Sequence, residues 1–309
     1  MDRQDRIQGG LLGLLIGDAL GVPYEFQDAA NLPPIAEIEM TPPLGFRRSH
    51  GAVQPGTWSD DGAQALCLLT SLLDCGQLDP DDLGQRFVTW YQSGYMALDN
   101  HVFDVGVHTS VVLQAIATGM PALDAGAMGQ DARGNGSLMR SLPLVLWHQG
   151  SDAALVADAH LQSQVTHGDA YCQVCCALYC LWARRLLERV PFPWSEATRA
   201  LRAIYQQNPT FLDILDWAVR PDDRAEGQGS GYVIDALRSA RMVMRSGRYE
   251  QVVKAAIALG NDTDTTACIA GGVAGIRDGL SAIPSRWIEQ LRGQEIVLPL
   301  LERLLERCV

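Results

Sequence analysis

A chain of 309 residues, 47% apolar and 19% charged, can bury a sizeable core and carries no low-complexity tract, which excludes a disordered protein. Its 36 acidic residues against 24 basic ones leave a formal charge of -12, which argues against a nucleic-acid partner, because affinity for a phosphate backbone rests on Lys and Arg. The apolar stretch Ile7–Leu20 carries four glycines and Asp18 and is too short to span a bilayer; it follows a mixed-charge start, Met1–Arg6, with no cleavage signal. The eight cysteines therefore read as reduced core thiols in a cytoplasmic protein.

Helical periodicity runs through nearly the whole chain. Residues 6–20 form a helix with Gly9, Gly13 and Gly17 at i, i+4 spacing, a face on which another backbone can approach closely. From 21 to 57 the pattern lapses into a proline-rich connection, long enough to be functional. Helices follow at 60–74, 80–93, 104–118, 136–148 (kinked near Pro143), 151–164, 168–189, 195–206, 209–219, 231–246, 249–260, 265–279, 284–292 and 296–307. No segment alternates with period two, so the fold class is all-α, one domain over 1–309, with the loops 21–57, 119–135 and 220–231 left to build a mouth.

Two helix starts carry unusual charge. Asn261-Asp262-Thr263-Asp264-Thr265-Thr266 leads into the small-residue run Ala267–Gly272, with no Lys or Arg between Lys254 and Arg277, and Trp58-Ser59-Asp60-Asp61-Gly62 repeats the arrangement. Carboxylates entering a packed interior need a cation or a donor network. Taken alone, each motif also reads as a capped helix with extra acid. Facing one another, they would hold a dinuclear site of oxygen ligands, which suits Mg²⁺ or Mn²⁺ better than zinc.

Gly-rich turns at Arg133–Arg140 and Gly227–Tyr232 offer backbone N–H groups of the kind that hold phosphate, although a plain turn explains either one. His167 falls between two helices as cap, core residue or ligand contact. Cys172, Cys175, Cys176 and Cys180 share one helix face and read as buried thiols, while Arg184, Arg185 and Arg189 read as a solvated face.

Gly17-Asp18-Ala19-Leu20-Gly21 with Glu25, Ser59-Asp60-Asp61, Phe103-Asp104-Val105-Gly106 with Thr109, Gly134–Arg140, Thr166-His167, Gly229–Tyr232 and Asp262–Thr265, in that order, resemble the ADP-ribosylglycohydrolase family over almost the whole chain. The resemblance implies an orthogonal helical bundle with two Mg²⁺ or Mn²⁺ ions in a central cleft. It implies hydrolysis of the bond from ADP-ribose to a protein side chain, so the expected partner is an ADP-ribosylated protein; a monomer is expected. Carried over motif by motif, Ser59, Asp60, Asp61, Asp262, Asp264 and Thr265 correspond to metal ligands, and Glu25, Asp60 and Asp104 to catalytic positions. Gly134, Asn135, Gly136, Ser137, Met139, His167, Gly229, Ser230, Gly231 and Tyr232 correspond to the substrate cradle.

Two departures stand out: Gly62, where many members carry a hydroxyl, and Val107, where Asn is common. If Asp104 and Val107 share a helical turn, Val107 lies by the leaving group without an acceptor for a guanidinium, so carboxylates must recognise the leaving arginine. The alternatives are another ADP-ribosyl linkage (serine, nucleobase or a free derivative), a non-catalytic ADP-ribose binder, or a two-metal phosphohydrolase.

Overall fold

The computed structural model describes residues 2–126 and 128–307. The helices are α1 (Arg3–Gly21), α2 (Asp60–Cys75), α3 (Pro80–Ser93), α4 (Val107–Ala117), α5 (Ala122–Ala125), α6 (Leu142–Trp147), α7 (Asp152–Gln164), α8 (Ala170–Leu187) and α9 (Pro193–Tyr205). They continue with α10 (Pro209–Asp213), α11 (Val233–Val243), α12 (Tyr249–Ile257), α13 (Thr263–Asp278), α14 (Ser285–Gln290) and α15 (Gln294–Arg307). Among the described residues no strand forms; isolated bridges join Asp28 to Gly260 and Gly134 to Tyr232.

The axis of the molecule is the antiparallel pair α1 and α13. Both helices carry small residues at i, i+4 spacing, so their backbones lie in direct contact: a Cβ added at Gly9 would meet Gly275 O at 2.5 Å, and one at Gly13 would meet Gly271 O at 2.6 Å. Gly17 lies against the carbonyl of Ala267, and Gly21 against the Cα of Asp264. The zipper thereby carries the end of α1 to the acidic start of α13. Tyr249 locks the pair from α12 by donating to Gly13 O at 2.8 Å, and Tyr179 does so from α8 by donating to Ile269 O at 3.1 Å. By length and hydropathy α1 could cross a membrane, but 94% of that segment is buried here, as a core helix.

Several boundaries differ from the sequence expectation. The segment expected as a helix over 104–118 begins only at Val107, because Asp104 takes a left-handed φ of 58° and Gly106 caps the helix. Residues 136–140 are a turn, and the helix expected over 136–148 starts at Leu142 after the N-cap Ser141; Pro143 sits in its first turn, where the missing N–H costs nothing, and produces no kink. Past Asp213, α10 widens into a π-helical stretch, Ile214–Val219. Arg184 is buried rather than solvated, since the end of α8 packs on the 148–152 turn and its guanidinium donates to Gly150 O at 3.0 Å and to Asp152 at 3.2 Å. The four cysteines of α8 are buried and unpaired, as expected; Cys308 lies outside the described residues.

Candidate active site

The start of α2 is built first. Ser59 is its N-cap, accepting from Asp61 N–H at 3.3 Å, and its own hydroxyl donates to Asp61 Oδ2 at 3.0 Å. Asp18, at the end of α1, accepts from the N–H of Ser59 at 2.9 Å and of Gly62 at 2.7 Å, so one buried carboxylate clamps this helix terminus. Gly62 is required by packing: a Cβ there would fall 2.7 Å from the Trp58 ring.

The start of α13 meets it across the zipper. Thr265 donates its hydroxyl to Asp61 Oδ2 at 3.3 Å and its N–H to Asp264 Oδ1 at 2.9 Å. Carboxylate oxygens of Asp18, Asp61 and Asp264 lie within 4.8 Å of one another, as do those of Glu25, Asp262 and Asp264. The two acidic starts therefore do face each other. Asp61 Oδ1 and Asp264 Oδ2 are buried with no hydrogen-bond donor. Buried anionic oxygens without donors are costly, and hard cations are the partners that fit an all-oxygen set.

Crowding dominates the electrostatics. Burial, then the charges of Asp104, Asp262 and Asp61, pushes Glu25 up to about 10. Asp104 is raised to about 7 by burial and then by Asp262 and Asp18, and Asp18 is raised to about 7 by burial. Burial and neighbouring carboxylates also hold Asp60, Asp61 and Asp264 well above the usual range. Like charges in a dry site cannot all ionise without cations.

Above these residues opens a cleft of about 470 Å³, lined by Glu25, Asp60, Asp104, Asp262 and Thr265 on one side and by the Gly134–Met139 and Ser230–Gly231 loops on the other. The loops are stitched together: Asn135 N–H donates to Gly231 O at 3.0 Å, Val233 N–H to Arg133 O at 3.0 Å, and Asn135 Nδ2 to Asp262 Oδ2 at 2.9 Å. His167 packs edge-on beneath them, 2.7 Å from where a Gly136 Cβ would stand, with Nδ1 bonded to the Thr166 hydroxyl at 2.8 Å. Burial lowers its pKa to about 3, so it is neutral.

Of the cradle positions, Gly134, Asn135, Gly136, Met139, His167, Ser230 and Gly231 line the cleft. Ser137, Gly229 and Tyr232 do not. Ser137 is fully buried and bonded to Ser163 and Cys176, Gly229 backs onto Gly260, and Tyr232 caps α11. Ser59, Asp61 and Asp264 form the buried floor beneath Asp60 and Thr265. Val107 reaches the cleft as the first residue of α4, not in a shared turn with Asp104.

Three participants were given no role from the sequence. Asp18 stood in a motif of the resemblance and at a helix end, without an assigned function. His50, inside the proline-rich connection, brings Nε2 within 2.6 Å of Glu25 Oε2. Arg140 is wholly buried; it donates to Gln64 Oε1 at 2.7 Å, and Gln64 Nε2 donates to Asp60 Oδ2 at 3.0 Å, so a cation under the site orients Asp60 through an amide.

The fold and the cleft define a class: an all-α protein in which two acidic helix starts converge beneath a polar, loop-walled cleft. The ADP-ribosylglycohydrolase family profile matches residues 1–309, and the chain belongs to that family. It is 30% identical to an ADP-ribosylarginine hydrolase Tri1 of Pseudomonas putida over 98% of this chain and 79% of the relative. It is 29% identical to the Tri1 of Serratia proteamaculans over 97% and 79%. A solved structure described as an ADP-ribosylglycohydrolase-related protein complex superposes with a TM-score of 0.77 at 31% identity, covering 100% of this chain and 99% of that one.

Proposed function

We propose that this protein is a cytoplasmic, dinuclear-metal hydrolase that removes ADP-ribose from arginine side chains of modified proteins. The observation that carries the reading is the convergence of Asp60, Asp61, Asp262 and Asp264 on one cleft, with donor-less buried oxygens on Asp61 and Asp264. Ser59, Asp60, Asp61, Asp262, Asp264 and Thr265 would hold two Mg²⁺ or Mn²⁺ ions. Bound there, the ions supply charge that offsets the carboxylates, orient the ribose hydroxyls and acidify water.

The chain's own groups supply the rest. Glu25, held at Oε2 by His50, is placed to take a proton from water and return it to the departing group. Asp104, turned into the cleft by its left-handed backbone, adds a second carboxyl where charge shifts on the sugar. Gln64 fixes the orientation of Asp60. The stitched loops wall the side of the cleft that takes the diphosphate, and His167, neutral and buried, supports their inner face. Carboxylates facing the mouth suit a cationic leaving group better than a neutral serine.

The test is a panel of matched Arg- and Ser-linked ADP-ribosyl peptides with Mg²⁺, Mn²⁺ or EDTA. Release of ADP-ribose with an intact diphosphate, a higher kcat/KM for the arginine link, loss of activity in EDTA and a reduced Arg/Ser ratio in Asp104→Asn are expected. AMP as product would instead mark a phosphohydrolase, and a serine preference would overturn the arginine assignment.

A further inference from the structure

Phe26 is the one large apolar side chain next to Glu25 that the fold leaves outside the core. It lines the cleft and is 65% exposed, and its backbone sits at φ 57°. Both features are unfavourable: a left-handed backbone strains a bulky residue, and an exposed ring forfeits the gain of burial. The strain is held in place, since Phe26 N–H donates to Asn261 O at 2.7 Å and Asn261 N–H to Gln27 O at 2.8 Å, with Asn261 itself at φ 61°. The ring contact of Phe26 with His50 leaves most of its side chain exposed. It presents an aromatic face to the cleft.

What the face meets is set by its surroundings. The ring centroid lies 5.8 Å from that of His50, whose Nε2 bonds Glu25, and Glu25, Asp104 and Asp262 line the same cleft. No Lys or Arg lines it among the described residues. Val107, 76% exposed at the cleft, adds an apolar wall without an acceptor. An aromatic face beside Glu25 and Asp104, with no Lys or Arg in the lining, is a site for a flat organic cation: the ring attracts the charge and these two carboxylates accept the planar N–H donors.

We propose that Phe26 is a specificity-determining residue that stacks on the guanidinium of the departing arginine. This rests on the ADP-ribosylarginine reading above. The ring discriminates between leaving groups and contributes nothing to the hold on ADP-ribose.

The experiment measures kcat/KM for matched Arg- and Ser-linked ADP-ribosyl peptides, and ADP-ribose affinity by calorimetry, in wild type, Phe26→Leu, Phe26→Tyr and Phe26→Gly. Glycine relieves the left-handed strain, so a folded variant without the ring is secured. Phe26→Leu and Phe26→Gly should lower the Arg/Ser ratio by about two- to thirtyfold, the range of a cation–π contact, and Phe26→Tyr should keep it. The serine-linked rate and ADP-ribose affinity should not move. An unchanged ratio in Phe26→Gly, or an equal fall on both peptides, overturns the proposal while leaving a wild-type arginine preference standing. A wild type that prefers the serine link overturns the arginine reading and this proposal together.

Discussion

The contact between α1 and α13 makes a quantitative demand at Gly13. A methyl group there would stand 2.6 Å from Gly271 O, 3.0 Å from the Tyr249 ring and 3.3 Å from the Gly275 Cα. The first of these is about 0.9 Å inside the roughly 3.5 Å at which such atoms rest. Because the obstructing atom is backbone, no rotamer change relieves it; the helices must part or tilt. Overpacking of this kind costs about 3 kcal/mol, at the top of its ordinary range. The gain in helix propensity from Gly to Ala returns about 1 kcal/mol. Gly13→Ala is therefore destabilised by about 2 kcal/mol, which for a chain of this length lowers Tm by about 3 °C. Calorimetric melting in EDTA, with Mn²⁺ titration on the folded protein, measures both consequences. Gly17→Ala and Gly21→Ala place the same methyl against Ala267 and Asp264, nearer the acidic start of α13, so loss of Mn²⁺ affinity should grow from position 13 to 21. A Gly13→Ala protein at least as stable as wild type, or a flat affinity trend along the series, would refute backbone contact between the two helices.

Two further outcomes follow from buried charge. Asp264→Asn removes one anion from a crowded site, so it should abolish turnover and weaken Mn²⁺ binding while raising the melting temperature in EDTA; full activity would sink the dinuclear assignment. His160 is bonded to the Tyr205 hydroxyl at 2.7 Å, and burial lowers its pKa from 6.5 to about 4. With the folded value depressed, its contribution is intact above pH 6.5 and lost as pH falls towards 4, at most about 3 kcal/mol. The raised carboxylates of the cleft act in the opposite sense, so the measurement is the difference in Tm between wild type and His160→Gln from pH 7 to 4; parallel curves would remove His160 from the account.

The legible part of this protein was what local chemistry marks. Acid at a helix cap is visible in Ser59–Asp61 and Asp262–Thr265, because no helix start needs that many carboxylates, and the structure brings those two starts together. The stripe Gly9, Gly13, Gly17 announced a close backbone approach but not its partner: Ala267, Gly271 and Gly275 repeat the same spacing, yet neither stripe by itself says that the two meet. Asp18, His50 and Arg140 act across long sequence separations, so a polar residue at a helix end, in a loop or after a glycine turn gave no cue to its role. Asp104 was read into a helix because its neighbours are apolar at helical spacing; the left-handed φ of 58° that takes it out of the helix has no signal in that pattern.

The α1–α13 zipper also sets an order of events during synthesis. Helix α1 leaves the ribosome well ahead of α13, and the face that covers it, together with the acidic residues that complete the site, follows roughly 240 residues later. At typical elongation rates that interval lasts on the order of 10–50 s. Throughout it, a glycine-striped apolar helix, long enough to interest a membrane or a chaperone, has no partner. Half of the carboxylate cluster is likewise translated long before the other half, so a nascent chain holds Asp18, Asp60 and Asp61 without the residues that would let them share a cation. Activity in this architecture is withheld until α13 has been made.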